Sequence, residues 1–205
     1  MARKLIFATG NEGKMREIRA IMEGSGYEIL SMKEAGVYAD VTEDGTTFEE
    51  NALIKARAIH QKAPDALVLA DDSGLVIDYL NGEPGIYSAR YMGEDTPYSI
   101  KNTELLRRME GAREWERTAR FVCAIAAVNA RGEEQVVRGV IEGRIGHEIA
   151  GRNGFGYDPI FYVPEYGMST AEMSEEMKNT LSHRGRALRK MKELLDKEEN
   201  ETCAH

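Results

Sequence analysis

The stretch from Lys4 to Met22 constrains the fold most. Lys4 to Ala8 is short and, after its lysine, continuously apolar, as a buried strand is. Gly10-Asn11-Glu12-Gly13 breaks it. From Lys14 onward Met15, Ile18, Ile21 and Met22 recur at helical spacing. The chain therefore opens as strand, glycine turn and helix.

The same mixture continues. Gly24-Ser25-Gly26 ends the helix and Tyr27 to Ser31 reads as a second strand. Gly36 to Gly45 is polar, acidic and without period, a loop. Thr47 with Glu50 has capping-box spacing. The helix it starts carries Phe48, Leu53, Ala56, Ile59 and Ala63 on its apolar face, and Pro64 stops it. Ala66 to Ala70 and Leu75 to Leu80 are apolar, with Asp71-Asp72-Ser73-Gly74 between them, so two strands joined at a polar tip are expected. Asn81-Gly82 and Glu83-Pro84-Gly85 are turn signals. Pro97 to Met109 predicts a helix and Phe121 to Val128 a central strand. Val136 to Glu142 and Arg144 to Ile149 predict strands linked near Gly143. Ile160 to Val163 is a further strand, ended by Pro164, and Ser182 is placed to cap a last helix. The polar tail after Asp196 is expected to fray. Strands and helices in this proportion, with hairpin-like links, predict an α/β architecture on a mixed sheet.

Composition narrows the function classes. With 42% hydrophobic and 30% charged residues, the 205-residue chain is ordinary globular material. Its 35 acidic and 27 basic residues give a net charge of -8, which argues against a generic nucleic-acid surface. A small anionic ligand stays open, because a few placed cations suffice to bind it. Cys123, in an apolar run, and Cys203, in the tail, do not suggest a structural disulfide, which fits a reducing compartment. Phe121 to Val128 is too short to cross a bilayer. Arg3-Lys4 and the following apolar residues resemble the start of a signal peptide but stop too soon, at Thr9-Gly10-Asn11-Glu12. A soluble cytoplasmic protein with no membrane partner is expected.

Three clusters carry candidate chemistry. The turn Thr9-Gly10-Asn11-Glu12-Gly13-Lys14 puts unpaired amides, two glycines and a lysine at a helix start, which suits a phosphate; an ordinary turn with a solvent lysine is the plain alternative. It has neither the Walker nor the GxGxxG pattern. Asp71 and Asp72 follow an apolar strand, where hard oxygen ligands suit Mg²⁺. Adjacent strand residues face opposite ways, so one Asp is free to face a ligand while the other anchors the loop. An acidic hairpin tip is the alternative. Glu43 is a second metal ligand if the fold brings it to Asp72, whereas Glu49 and Glu50 read as helix-capping residues. The third cluster is Gly151 to Pro159 with Lys178, Ser182, His183 and Arg184. Phe155 offers a stacking face. Asp158 offers an acceptor, or an Asx turn before Pro159. Tyr157 offers packing. His183 and Arg184 at a helix N-terminus conflict with the helix dipole, a conflict that an acceptor-rich ligand relieves. No zinc-type Cys/His spacing and no Gly-x-Ser-x-Gly is present.

These residues resemble the inosine/xanthosine triphosphate pyrophosphatase family, the non-canonical purine nucleoside triphosphate pyrophosphatases. The resemblance rests on Thr9-Gly10-Asn11 with Lys14, Thr47 to Ala52, Ala70 to Leu75, Pro84 to Tyr91, Gly154 to Phe161 and Ser182 to Gly185. It runs in order from about Lys4 to Leu195. It implies a long mixed central sheet with flanking helices, folded as a single domain 1–195 of two lobes around an active-site cleft, with 196–205 as a tail. It implies hydrolysis of ITP, dITP and XTP to the monophosphate and pyrophosphate, Mg²⁺ as cofactor, free purine nucleotides as partners and a homodimer. Carried over by position, Asp72 is the catalytic carboxylate and a metal ligand, and Glu43 is the second metal ligand. Thr9, Gly10, Asn11, Glu12, Gly13 and Lys14 grip phosphate. Ser73, Phe155, Gly156, Tyr157, Asp158, Lys178, His183 and Arg184 make the other substrate contacts. Phe155 stacks on the base, Asp158, His183 and Arg184 address its edge, and Lys178 reaches base or phosphate. Asn153 and Thr96-Pro97-Tyr98-Ser99 depart from the family pattern and put only local loop shape in question. The alternatives are a Maf-like pyrophosphatase acting on modified pyrimidines or dTTP, and a nucleotide-binding protein that is not an enzyme.

Overall fold

The structure, a computed structural model, describes residues 3–202, with side chains through residue 198. Cys203 and His205 lie outside the described residues. Seven strands form one sheet in the order β2-β1-β3-β4-β5-β6-β7. They are β1 (Arg3–Phe7), β2 (Tyr27–Ser31), β3 (Leu67–Ile77), β4 (Thr118–Val128), β5 (Glu134–Ile145), β6 (Phe161–Val163) and β7 (Met168–Ser169). β1 pairs in parallel with β2 and β3, whereas β6 is antiparallel to β5 and β7. The sheet is therefore mixed. Among the described residues, five α-helices accompany it: α1 (Glu12–Ile21), α2 (Phe48–His60), α3 (Tyr98–Arg108), α4 (Glu175–Leu181) and α5 (His183–Thr202).

The chain divides into two compact units. The first contains the residues up to Asp72, Cys123–Gly139 and those from His183 onward. Its core joins Leu5 and Phe7 of β1, Met15 and Ile18 of α1, and Leu188 and Met191 of α5. The apolar period read in the first helix thus faces a strand and a second helix. Gly139 of β5 lets α5 come close, because a Cβ there would stand 2.1 Å from the His183 carbonyl oxygen. The second unit contains Ser73–Val122 and Val140–Ser182. Its core includes Leu75, Ile77, Leu105, Met109, Ile145 and Phe161.

Several local expectations change. Asp71-Asp72-Ser73-Gly74 does not turn the chain, and β3 runs unbroken from Leu67 to Ile77. Both carboxylates are buried there because other elements supply cationic and amide partners. Gly143 does not separate two strands either. A Cβ at Gly143 would stand 2.6 Å from the Phe161 ring, so the glycine makes room for a neighbour within one continuous β5. α2 ends at His60, before Pro64. The tail beyond Asp196 continues α5 as far as Thr202. α4 was not expected, and Ser182 serves as its C-cap immediately before α5 begins.

Candidate active site

In the first unit, the turn after β1 is built by side-chain capping. Asn11 is the N-cap of α1, and its Oδ1 accepts the Lys14 N–H at 3.0 Å. The Asn11 N–H donates to Thr9 Oγ1 at 3.2 Å. The first amides of a helix have no carbonyl one turn earlier to bond, so the turn presents donors. Gly10, Asn11 and Glu12 are exposed. Nothing lies within 4 Å of a Cβ built on Gly10. The protein itself therefore leaves the space above Gly10 open.

Lys14 Nζ stands 2.9 Å from Asp71 Oδ2, and Asp71 is wholly buried. Arg184 approaches the same oxygen at 3.5 Å and also pairs with Glu17 of α1. Burial opposes ionisation of Asp71, but Lys14, Arg184 and Lys55 together hold its carboxyl well below the usual range. Asp71 thus anchors α1 and the start of α5 to β3, not a loop.

Asp72 faces other partners. Its Oδ2 accepts from Asn51 Nδ2 at 3.2 Å, and its Oδ1 lies 3.7 Å from Lys55 Nζ. Lys55 Nζ also lies 3.3 Å from Glu43 Oε2. One ammonium therefore gathers Glu43 and Asp72, the two carboxylates that sequence reasoning paired. Burial raises the Asp72 pKa; Lys55 opposes the shift and Glu43 adds to it. Two hard oxygen donors held together, one of them buried beside the other's charge, suit a divalent cation. Among the described residues no group of three or more His, Cys, Asp or Glu is placed to hold a metal.

The second unit holds a different cluster. Asp158 Oδ2 accepts from the Phe155 N–H at 2.8 Å and from Lys178 Nζ at 2.6 Å. Its Oδ1 accepts from Thr170 Oγ1 at 2.9 Å. Lys178 Nζ sits 4.7 Å from the centroid of the Phe155 ring. Gly154 has φ +72° and no room for a side chain, since a Cβ would stand 2.2 Å from Asp158 Oδ2. Tyr157 packs edge-on against Tyr98, and its hydroxyl donates to the Ser88 carbonyl at 2.6 Å. Asn102 Nδ2 donates to the Gly156 carbonyl at 3.1 Å. Ser73 follows Asp72 on β3 and is half-buried. His183, the first residue of α5, is buried and belongs to the first unit.

The structure thus joins Lys14, Glu43, Asp72 and Arg184 through Asp71 and Lys55 in one unit, and Phe155, Asp158 and Lys178 in the other. Two base-edge expectations change in character. Asp158 has both oxygens engaged inside its own cluster, and the Arg184 guanidinium is engaged by Glu17 and Asp71. Sequence reasoning missed Asn51, Lys55, Glu17 and Thr170. The one available signal was the helical spacing of Asn51 and Lys55, which sets both on one side of α2. Cys123 is buried, and burial pushes its thiol up to about 12, so it offers no nucleophile at neutral pH. No helix of the described residues is long and apolar enough to cross a membrane.

A family model described as the Ham1 family matches residues 5–194. A dITP/XTP pyrophosphatase of Clostridium perfringens is 48% identical over 198 residues, covering 94% of this chain and 97% of that protein. A protein of the same name from Bacillus subtilis is 46% identical, covering 95% of this chain and 98% of its own. The Staphylococcus aureus Ham1 protein superposes with a TM-score of 0.85 at 40% identity, over 96% of this chain and 100% of that one.

Proposed function

The chain belongs to the Ham1 family, and from that premise we infer that it is a nucleoside triphosphate pyrophosphatase acting on non-canonical purine nucleotides. Its substrates are ITP, dITP and XTP, and water converts each to the nucleoside monophosphate and pyrophosphate. The observation that carries this reading is the gathering of Glu43 and Asp72 on Lys55, in the same unit as the Thr9–Lys14 turn.

We assign the roles as follows. Glu43 and Asp72 would hold Mg²⁺, which when bound neutralises triphosphate charge and polarises the reacting phosphoryl group. Asp72 also orients water or accepts its proton. The open amides of the turn and Lys14 stabilise charge on phosphate oxygens. Asp71 keeps Lys14 aimed, and Arg184 supports Asp71. Ser73 is a further substrate contact. Phe155 stacks on the base, Gly156 and Tyr157 shape its seat, and Lys178 faces its edge with Asp158 fixing both Phe155 and Lys178. His183 is a further substrate contact. The reading also includes a homodimer in the cytoplasm.

Discrimination against ATP follows from donor count. An ammonium is a donor with no acceptor. It satisfies a 6-oxo purine, whereas the 6-amino group of adenine meets it donor to donor. A buried donor left unpaired costs about 1–3 kcal/mol, or roughly 5- to 150-fold in kcat/KM. The test is kcat/KM for ITP, XTP, dITP, ATP, GTP and dTTP with Mg²⁺. The expected result is that ITP, dITP and XTP lead and ATP trails by at least the lower figure. A preference for ATP or dTTP would sink the reading.

A further inference from the structure

We propose that Asn51 is a positioning residue for this hydrolysis, its side-chain amide setting the separation between Asp72 and the loop that carries Glu43. The inference rests on the pyrophosphatase reading of the same site. Asn51 is fully buried in the first turn of α2. Its Nδ2 donates to Asp72 Oδ2 at 3.2 Å, and its Oδ1 accepts the Gly45 N–H at 2.9 Å. Gly45 lies just beyond Glu43 in the chain. A single planar amide therefore bridges the strand that bears one carboxylate and the loop that bears the other.

The choice of residue follows from the two bonds. Asp72 needs a donor and Gly45 needs an acceptor. The Asn51 amide carries both on one rigid planar group. Gly45 is fitted to the same tether. A Cβ there would stand 2.7 Å from Asn51 Oδ1 and 2.8 Å from Glu50 Cβ, so the loop can lie this close only without a side chain.

Lys55, one helical turn on, does a different job. It reaches Glu43 and Asp72 with a charge on a flexible stem. Its ammonium offsets their repulsion but does not fix their spacing. Asn51 adds no charge and holds both sides with directed bonds. Partners that orient metal-binding carboxylates are commonly worth about 10- to 100-fold in metal affinity or activity.

The experiment compares wild type with Asn51→Ala, Asn51→Asp and Gly45→Ala. Hydrogen exchange at the Gly45 amide is measured without metal or nucleotide. ITP hydrolysis is measured over a range of Mg²⁺ and ITP concentrations, and thermal unfolding accompanies both. For Asn51→Ala, faster Gly45 exchange is expected. Its kcat, its Mg²⁺ requirement or both should worsen by about 10- to 100-fold, with little change in KM for ITP at saturating Mg²⁺. Asn51→Asp keeps the acceptor and loses the donor, so Gly45 stays protected while turnover falls. Gly45→Ala leaves Asn51 in place, speeds exchange and raises the Mg²⁺ requirement.

Unchanged Gly45 exchange in Asn51→Ala would overturn the inference. So would a lowered melting temperature with wild-type kcat and Mg²⁺ requirement. If Asn51→Ala does not fold, Gly45→Ala decides, and a wild-type Mg²⁺ requirement there overturns it. If the wild type itself releases no pyrophosphate, the parent reading fails separately. The Gly45 exchange of Asn51→Ala then still supports or overturns the tether.

Discussion

Asp71 and Asp72 are neighbours whose side chains meet different partners and acquire opposite electrostatic character. Asp71 is held ionised by cations, whereas burial raises the pKa of Asp72. The folded pKa of Asp71 lies below its unfolded value of about 3.9. Its stabilisation is therefore present above about pH 4 and is lost as pH falls through the folded pKa. Asp71→Asn should destabilise the protein by about 3–5 kcal/mol, because it leaves buried cations short of a partner. It should also flatten the acid limb of stability in urea titrations below about pH 4. Asp72 has the reverse sign. Its charged form is disfavoured by folding, so the metal-free Asp72→Asn variant should melt no lower than wild type at neutral pH. Its turnover should fall by about 10²- to 10⁴-fold. Retained turnover would remove the catalytic role, and a large drop in melting temperature would mean that Asp72 serves stability instead. At this scale the residue types were legible in the sequence. Glycines beside a lysine and acids after an apolar strand are the residue types from which phosphate and metal contacts were expected. Asn51, Lys55, Glu17 and Thr170 were not legible, because their importance lies in partners distant along the chain.

Elements bounded by their own local signals were read closely. Thr47 caps α2 by accepting the Glu50 N–H at 3.1 Å, and Tyr27–Ser31 forms β2. Glu50 itself accepts chiefly from Thr46, with a smaller contribution from the Thr47 N–H, so the reciprocal half of the expected capping box is shared with the residue before the cap. β3 and β5 were misread for a common reason. Asp-Asp-Ser-Gly and Gly143 look like turns until the groups that fill or satisfy those positions are known. α4 is too short, at 7 residues, for periodicity to stand out. Gly139 belongs to the same class, since its need is imposed by α5. Gly139→Ala would set a Cβ 2.1 Å from the His183 carbonyl oxygen and 2.6 Å from the Ala187 nitrogen. Overpacking of this kind costs about 1–3 kcal/mol. Urea denaturation should show that loss, and wild-type stability would mean that the first turn of α5 is not held against β5.

For the whole molecule, the mixed α/β sheet was legible because alternating strands and helices leave few other architectures. The net charge of -8 was a poor guide to the site. Around Asp71 and Asp72, Lys14, Lys55 and Arg184 interleave with Glu17 and Glu43, so that three cations come within one charge of balancing four carboxylates. Such near-balance suits a ligand that brings phosphate together with a divalent cation. The central claim is the bond that breaks, and phosphorus NMR of an ITP digest with Mg²⁺ tests it directly. The account predicts inosine monophosphate and pyrophosphate in equal amounts as the first products. Orthophosphate with inosine diphosphate would contradict it.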